Sequence, residues 1–118
     1  MIEENKIYRE LYFTDCFRLF YSELQDKIKV KFDYVFEIVR TERIVSTKFV
    51  KHLVETDLYE MRVSVGNNEY RTILFAIDNE NFQLAKRIIV LNGFLKKSTK
   101  DYKKQISIAE KLINEFEL

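Results

Sequence analysis

The sequence predicts a single α+β domain over residues 1–118, with a mainly antiparallel sheet of about four strands. Two observations lead to this fold class. Residues 59–94 contain runs of β-forming side chains separated by turn residues, whereas residues 14–40 and 98–116 repeat apolar side chains at helical spacing. The expected arrangement is an N-terminal helix pair on one face of the sheet and a final C-terminal helix.

Composition restricts the class of protein further. Hydrophobic residues make up 47% of the chain and proline is absent, which excludes a disordered or fibrous protein. The single cysteine excludes an internal disulfide. Because no signal peptide and no apolar run of about 18 residues is visible, the sequence predicts a cytoplasmic protein without membrane association.

The chain begins with a predicted strand, which is followed by the first of two paired helices. Polar and apolar side chains alternate in residues 6–12, and this pattern predicts a first strand. Thr14 or Asp15 can cap the helix that follows. Cys16 lies on the apolar stripe of this helix, so we predict a small core residue rather than a reactive thiol. The stripe comprises Cys16, Phe17, Phe20, Tyr21 and Leu24.

A second helix is predicted from Asp26 to Arg40, and the segment 41–56 after it has no clear period. The apolar face of the helix comprises Phe32, Val35, Phe36 and Val39. The segment 41–56 contains Lys48, Lys51 and His52, the only histidine. One histidine and one distant cysteine have no metal-ligand spacing, so no metal or other cofactor is expected. His52 is predicted to be a surface residue, with an acid/base role as the alternative.

The next predicted element is a β-hairpin with Asn67 and Asn68 as its two loop residues. This register places Gly66 opposite Glu69, Ser64 opposite Arg71 and Arg62 opposite Ile73. Side-chain alternation then gives a core face of Met61, Val63, Val65, Tyr70, Thr72 and Leu74. The other face carries Glu60, Arg62, Ser64 and Arg71, with the two arginines about one diagonal step apart.

Gly66 and Gly93, the only glycines, are predicted to lie at turns.

The last third of the chain combines a strand, a basic segment and a helix. Residues 86–104 contain seven basic residues and one acidic residue, a local balance of +6 in a chain of net charge +1. Residues 86–104 are therefore predicted to form one positive patch that fits a phosphate backbone or an acidic protein surface, with a solvated helix start as the alternative.

The final helix begins at the Ser-x-x-Asp pattern of Ser98 and Asp101. Its apolar face comprises Tyr102, Ile106, Ala109, Leu112, Ile113 and Phe116. We predict that this face packs on the sheet.

Several spaced motifs in residues 58–109 resemble the RelE/ParE toxin superfamily, in particular its HigB-like branch. The matching residues are Glu60 and Arg62 for Glu-x-Arg, Tyr70 and Arg71 for Tyr-Arg, and Gly93, Phe94, Lys96 and Lys97 for Gly-Phe-x-Lys-Lys. In architecture the resemblance covers residues 2–117, and it implies a small RelE-like fold. Asn92 replaces a histidine that many relatives have, and Tyr102 replaces a proline. The resemblance therefore does not imply a histidine-based acid/base step at this site.

The resemblance implies the toxin of a type II toxin–antitoxin system. The implied activity is a metal-independent, ribosome-dependent mRNA endonuclease, in which a 2′-hydroxyl attacks its own 3′-phosphate and leaves a 2′,3′-cyclic phosphate. The implied partners are the ribosome, mRNA and a cognate antitoxin, a helix-turn-helix protein encoded by an adjacent gene, with oligomers allowed in the complex. The alternatives are a ParE-like toxin that binds DNA gyrase and an inactive remnant of the fold.

Phosphoryl chemistry of this kind needs cations on the phosphate and a group that transfers protons. Arg71 and Lys96 are predicted to hold the scissile phosphate, with Arg62 positioning them. Tyr102 is the predicted proton-transfer group, through a phenol whose pKa neighbouring cations would lower. Lys96 or Lys97 are the alternatives for that role. Further contacts to RNA or phosphate are predicted for Asn92, Lys97, Lys100, Lys103 and Lys104.

Overall fold

The computed structural model describes residues 6–116, which form an α+β domain of five strands and three helices. The elements are β1 (Glu10–Phe13), α1 (Asp15–Ser22), α2 (Asp26–Thr41), β2 (Val50–His52), β3 (Leu58–Val65), β4 (Asn68–Ala76), β5 (Arg87–Leu95) and α3 (Thr99–Glu115). A short 3₁₀ helix, Phe82–Leu84, precedes β5. The predicted fold class is confirmed.

The five strands form one sheet in the order β1-β5-β4-β3-β2. Strand β1 runs parallel to β5, and the other neighbours are antiparallel. The sheet has one strand more than the predicted four because β2 forms in the segment 41–56. Three residues are too few for a periodic signal, and β2 exists because β3 supplies its hydrogen-bonding partner.

Helices α1 and α2 cover one face of the sheet, as predicted. Thr14 caps α1 by accepting a hydrogen bond from the Phe17 backbone N–H. The predicted face of α2 is entirely buried, with Phe32, Val35, Phe36 and Val39 each at most 7% exposed. Together with Phe17 and strand residues such as Met61, Val63 and Leu74 they form the first hydrophobic core.

The prediction for Cys16 is wrong, because its side chain is exposed. The buried residue of α1 is Phe17, and Phe20, Tyr21 and Leu24 pack around it. Cys16 precedes Phe17 by one position and therefore lies at the edge of the stripe, outside the core. Partial burial still raises the pKa of its thiol, so the protonated and less reactive form is favoured.

The hairpin forms with the predicted faces and a different register. Val65 pairs with Asn68, Arg62 with Arg71, and Glu60 with Ile73. The loop residues are therefore Gly66 and Asn67, because Gly66 adopts a φ of 59° at the first loop position, a conformation that glycine tolerates best. Each pairing is shifted by two residues from the predicted one, and an even shift leaves every side chain on its predicted face.

Gly93 lies within β5 and not at a turn, which corrects the sequence prediction. Its Cα faces α1, and a Cβ built there would lie 2.5 Å from Cε2 of Phe20. Glycine is thus required by the close approach of α1 to β5.

The N-terminal strand is shorter than predicted and begins at Glu10 rather than at residue 6. Tyr8 and Arg9 donate their backbone N–H groups to the Arg40 carbonyl, so this segment crosses the end of α2. The Arg9 side chain is 0% exposed. Its guanidinium donates to the backbone carbonyls of Val39, Glu42, Arg43, Phe82 and Gln83.

Helix α3 packs on the opposite face of the sheet, mainly against β4 and β5, as predicted. Ser98 and Asp101 form a capping box at its start. A second core centres on Ala109 of α3, with Ile73, Ile89, Leu91 and Phe94 from the strands. The sheet is therefore covered by helices on both sides.

We predict that Gly93→Ala lowers the free energy of unfolding by about 1–3 kcal/mol, because the new methyl group displaces the Phe20 ring. Urea denaturation measures this change. In a Phe20→Leu background, where the ring is absent, the same substitution should cost clearly less. Equal costs in the two backgrounds would contradict the proposed contact.

We also predict that Arg9→Met destabilises the protein by at least about 1–3 kcal/mol, since buried carbonyls lose their donor. Arg18→Met is the matched control, because Arg18 is exposed and its loss should stay within about 0.5 kcal/mol. Thermal and urea unfolding of both variants provide the comparison. Similar stability of the two variants would show that the carbonyls find other partners.

Candidate functional site

Glu60, Arg62, Arg71 and Tyr102 meet on the face of the sheet that α3 covers. Alternation along β3 puts Glu60 and Arg62 on this face, and the register places Arg71 of β4 directly opposite Arg62. Tyr102 comes from the first turn of α3. The structure thus brings together three of the four predicted catalytic residues.

Glu60 lies between the two arginines and is itself only 4% exposed. Its Oε1 is 3.3 Å from Arg62 Nε, and its Oε2 is 3.7 Å from Arg71 Nε. One carboxylate therefore compensates part of the charge of two guanidinium groups that would otherwise repel each other across the strand pair.

Arg71 has further partners and is 4% exposed. Its Nη1 lies 3.2 Å from Glu69 Oε1 and donates to the Tyr70 carbonyl at 3.0 Å. The pKa of Glu69 is lowered, first by a hydrogen bond from the Ser64 hydroxyl and further by Arg71 and Lys96. Arg71 therefore lies between two carboxylates, whereas the Arg62 side chain is 33% exposed.

Tyr102 extends from α3 onto the cluster of Glu60, Arg62 and Arg71. Arg71 Nε donates a hydrogen bond of 2.9 Å to the Tyr102 hydroxyl. The Tyr102 ring stands edge-on to Phe94, with centroids 5.4 Å apart, and Lys96 Nζ lies 5.9 Å from its centroid. Packing and a hydrogen bond together fix the position of the phenol.

The expected direction of the Tyr102 pKa shift is wrong, because the pKa of this phenol is raised. Burial is the largest cause, and hydrogen bonding and charge from Glu60 raise it further, while Arg71 lowers it in part. The phenol is therefore protonated at neutral pH. Such a group is suited to donate a proton rather than to remove one.

Asn92 lies beneath α3 and is 1% exposed. Its side-chain amide donates to the Gln105 backbone carbonyl at 3.1 Å and to Gln105 Oε1 at 2.8 Å. In this arrangement Asn92 links β5 to α3. Its predicted contact with RNA would require a rearrangement of the helix.

The basic segment 86–104 divides into two separate groups, which corrects the prediction of a single patch. Lys86 and Arg87 lie at the start of β5 and Lys96 follows its end, so roughly 30 Å of strand separates them. The second group, which we call the lysine cluster, surrounds the start of α3. It comprises the exposed residues Lys96, Lys97, Lys100, Lys103 and Lys104.

His52 lies on the other face of the sheet, away from Arg71. It pairs with Tyr59 in register, its ring centroid is 5.1 Å from that of Tyr59, and its Nε2 is 2.6 Å from the Thr56 carbonyl oxygen. The predicted surface position is confirmed, and a role beside Tyr102 is excluded by geometry.

Among residues 6–116, no group of three or more His, Cys, Asp or Glu side chains could hold a metal ion. No helix in the same range is both long and apolar enough to cross a membrane.

Sequence reasoning missed two members of the site, Glu69 and Gln105. Glu69 directly precedes the Tyr-Arg motif, and its position at the hairpin end only becomes meaningful once the register is known. Gln105 follows Tyr102 by three positions on α3, and this helical spacing was a signal that the sequence did contain.

Comparison with known protein families matches residues 19–114 to a family described as Phage derived protein Gp49-like (DUF891). The match spans most of the chain. The chain belongs to this family. Gp49-like proteins are a family of RelE/toxin-like proteins, so the broader part of the predicted resemblance is confirmed. The matched residues include the whole Glu60, Arg71 and Tyr102 cluster.

No curated protein and no solved structure matches the chain. The family assignment therefore rests on the family comparison, and the five-stranded sheet with three helices is compatible with a RelE-like fold.

We predict that Glu60→Gln lowers the pKa of Tyr102, because it removes a negative charge that raises this pKa and leaves the Arg71 charge that lowers it. A pH titration of ¹³Cζ-labelled tyrosine by NMR measures the shift, with Tyr102→Phe assigning the resonance. Glu37→Gln is the control, since Glu37 pairs with Arg40 on α2 and should leave the titration unchanged. An unchanged or higher pKa in Glu60→Gln would contradict the proposed coupling.

Proposed function

We propose that this protein is the toxin of a type II toxin–antitoxin pair and acts as a metal-independent, ribosome-dependent mRNA endonuclease of the HigB-like branch. The observation that carries the proposal is the convergence of Arg62, Arg71 and Tyr102 around Glu60, beside the lysine cluster. Membership of a RelE/toxin-like family supports it. The proposed setting is the cytoplasm, where ribosomes and the antitoxin would be met.

The chemistry of the proposed reaction matches the residues present. The 2′-hydroxyl gives its proton to solvent water and its oxygen forms a bond to the adjacent phosphorus. The bond to the 5′-oxygen breaks, this oxygen takes up a proton, and the products carry a 2′,3′-cyclic phosphate and a 5′-hydroxyl. Cations stabilise the additional negative charge on phosphorus, and a proton must reach the departing 5′-oxygen. Arginine and lysine supply the first function, and a protonated phenol can supply the second.

The proposed roles follow the accessibility of each side chain. Lys96 is exposed and close to the Tyr102 ring, so it is the cation proposed to contact the scissile phosphate directly. Arg71 is neutralised by Glu60 and Glu69, and it is proposed to orient the Tyr102 hydroxyl through the 2.9 Å hydrogen bond. Tyr102 is proposed as the proton donor because its pKa is raised.

A second function, a protein-binding toxin similar to the ParE branch that acts on DNA gyrase, is favoured by one observation. Arg71 is buried and shared between two carboxylates, an arrangement that suits a structural role. On this alternative the lysine cluster would contact a protein surface. The two functions differ in what an active preparation inhibits, translation or DNA supercoiling.

We predict that Tyr102→Phe and Lys96→Ala each slow cleavage of translated mRNA by about 10²–10³-fold, the usual effect of removing one group that stabilises transition-state charge. Primer extension on mRNA from a reconstituted translation reaction locates and quantifies the cuts. Lys111→Ala, an exposed lysine near the other end of α3, is the control and should cleave at the parental rate.

Three results would contradict parts of this proposal. Parental cleavage by Tyr102→Phe would remove the proton-transfer role from Tyr102. Equal cleavage of free and ribosome-bound RNA would exclude ribosome dependence. Inhibition of gyrase supercoiling by the wild-type protein, without any cut in translated mRNA, would favour the ParE-like alternative.

A further inference from the structure

The face of the sheet that carries Glu60 is only partly covered by α3. The helix packs mainly on β4 and β5, and the part of the face formed by β2 and β3 is more open. Three residues there face outward: Lys51 and Ser64 are exposed, and the Arg62 side chain is 33% exposed. An extended ligand can therefore reach this part of the sheet without displacing the helix.

Lys51 and Arg62 are neighbours on this open surface. Lys51 lies opposite Glu60 in the β2–β3 register, so the two side chains share a face, and Arg62 follows Glu60 by two positions on the same side. This places Lys51 and Arg62 diagonally, about 7–8 Å apart at the backbone. Both side chains are long enough for their charged ends to contact one phosphate group.

The charges of these two residues are compensated far less than that of Arg71. Among residues 6–116, no carboxylate lies within ion-pair distance of the Lys51 ammonium group. Arg62 has only Oε1 of the shared Glu60, whereas Arg71 has Glu60, Glu69 and the Tyr102 hydroxyl. An incoming anion therefore gains more from Lys51 and Arg62 than from the buried arginine.

The positions of the cations also form a line across the strands. Lys96 follows β5, Arg62 lies on β3 and Lys51 on β2, so the line crosses three strand spacings of about 4.8 Å each. From Lys51 to Lys96 the registers also advance by four residues along the strands, so the line is diagonal and extends over roughly 20 Å. Tyr102 lies over the middle of this line, because its hydroxyl accepts from Arg71 of β4. A single-stranded polyanion laid across the strands would contact cations on both sides of the phenol.

We propose that Lys51 and Arg62 form a phosphate-binding subsite for single-stranded RNA, on the β2 side of Tyr102 and separate from the lysine cluster. The proposal rests on the proposed function for its ligand and adds a residue, Lys51, that the sequence motifs do not contain. Lys51 contacts the sugar–phosphate backbone, so its contribution is electrostatic and independent of base sequence.

Fluorescence anisotropy with a labelled, fully 2′-O-methylated 12-nucleotide RNA tests the subsite, because this probe keeps the phosphate backbone and lacks the attacking hydroxyl. The logarithm of the association constant is measured against the logarithm of salt concentration, where each phosphate contact on a single strand contributes a slope of about −0.7. Lys51→Gln and Arg62→Gln should each bind more weakly and reduce the magnitude of the slope by about 0.7. Lys31→Gln is the matched control, since Lys31 is exposed on α2 and lies over the Tyr34 ring.

Unchanged affinity and slope in Lys51→Gln would overturn the subsite. Preference of the wild-type protein for a poly-glutamate peptide over the RNA would overturn it as well, by assigning the surface to an acidic protein partner. Failure of the proposed function is distinguishable: a reduced slope in Lys51→Gln without cleavage of translated mRNA by the wild-type protein supports the subsite and rejects the nuclease. Cleavage of translated mRNA by the wild-type protein, together with an unchanged salt slope in Lys51→Gln, supports the nuclease and rejects the subsite.

Discussion

The Arg71 guanidinium is a full charge in a position that is 4% exposed, and such a charge is tolerated only when it is compensated and hydrogen-bonded. Glu60 and Glu69 supply the negative charges, the Tyr70 carbonyl accepts one hydrogen bond and the Tyr102 hydroxyl another. These partners come from β3, β4 and α3. The register of the hairpin and the position of the helix start are thus coupled through one side chain.

A second buried arginine has a comparable role on the other side of the molecule. Arg9 donates to five backbone carbonyls near the end of α2 and the 3₁₀ helix, and no carboxylate within residues 6–116 pairs with it. Burial lowers the pKa of Arg9, which reflects the cost of removing the charge from water. The two arginines illustrate two ways of burying a guanidinium: neutralisation by carboxylates, or satisfaction of its donors by carbonyl groups.

The distinction between buried and open cations also separates the possible roles in the proposed reaction. Arg71 is held by two carboxylates and can orient the phenol, while Arg62, Lys51 and Lys96 are accessible to an anion. The raised pKa of Tyr102 depends on the same Glu60 that pairs with both arginines. Protonation of the phenol and orientation of the arginines are therefore properties of one cluster rather than of independent residues.

The sequence alone determined the fold class, the buried faces of α2 and α3 and the face of each hairpin residue that it assigned, because periods of 3.6 and 2 residues are local properties of the chain. Phe32, Val35, Phe36 and Val39 are buried as their spacing predicts, and Glu60, Arg62 and Arg71 share a face even though the predicted register was off by two residues. The family resemblance identified the Glu-x-Arg and Tyr-Arg motifs as members of one site. The resemblance could not predict which of these side chains are buried and which are exposed to solvent.

The tertiary structure decided everything that depends on which elements become neighbours. The positive φ of Gly66 fixes the hairpin register, the parallel pairing of β1 with β5 brings α1 against Gly93, and the docking of α3 buries Asn92. The same docking raises the pKa of Tyr102, where local lysines in the sequence predict a lower one. Segment 86–104 is basic throughout, but a nine-residue strand divides it in space. Desolvation and long-range pairing have no local period, so sequence patterns do not encode them in a readable form.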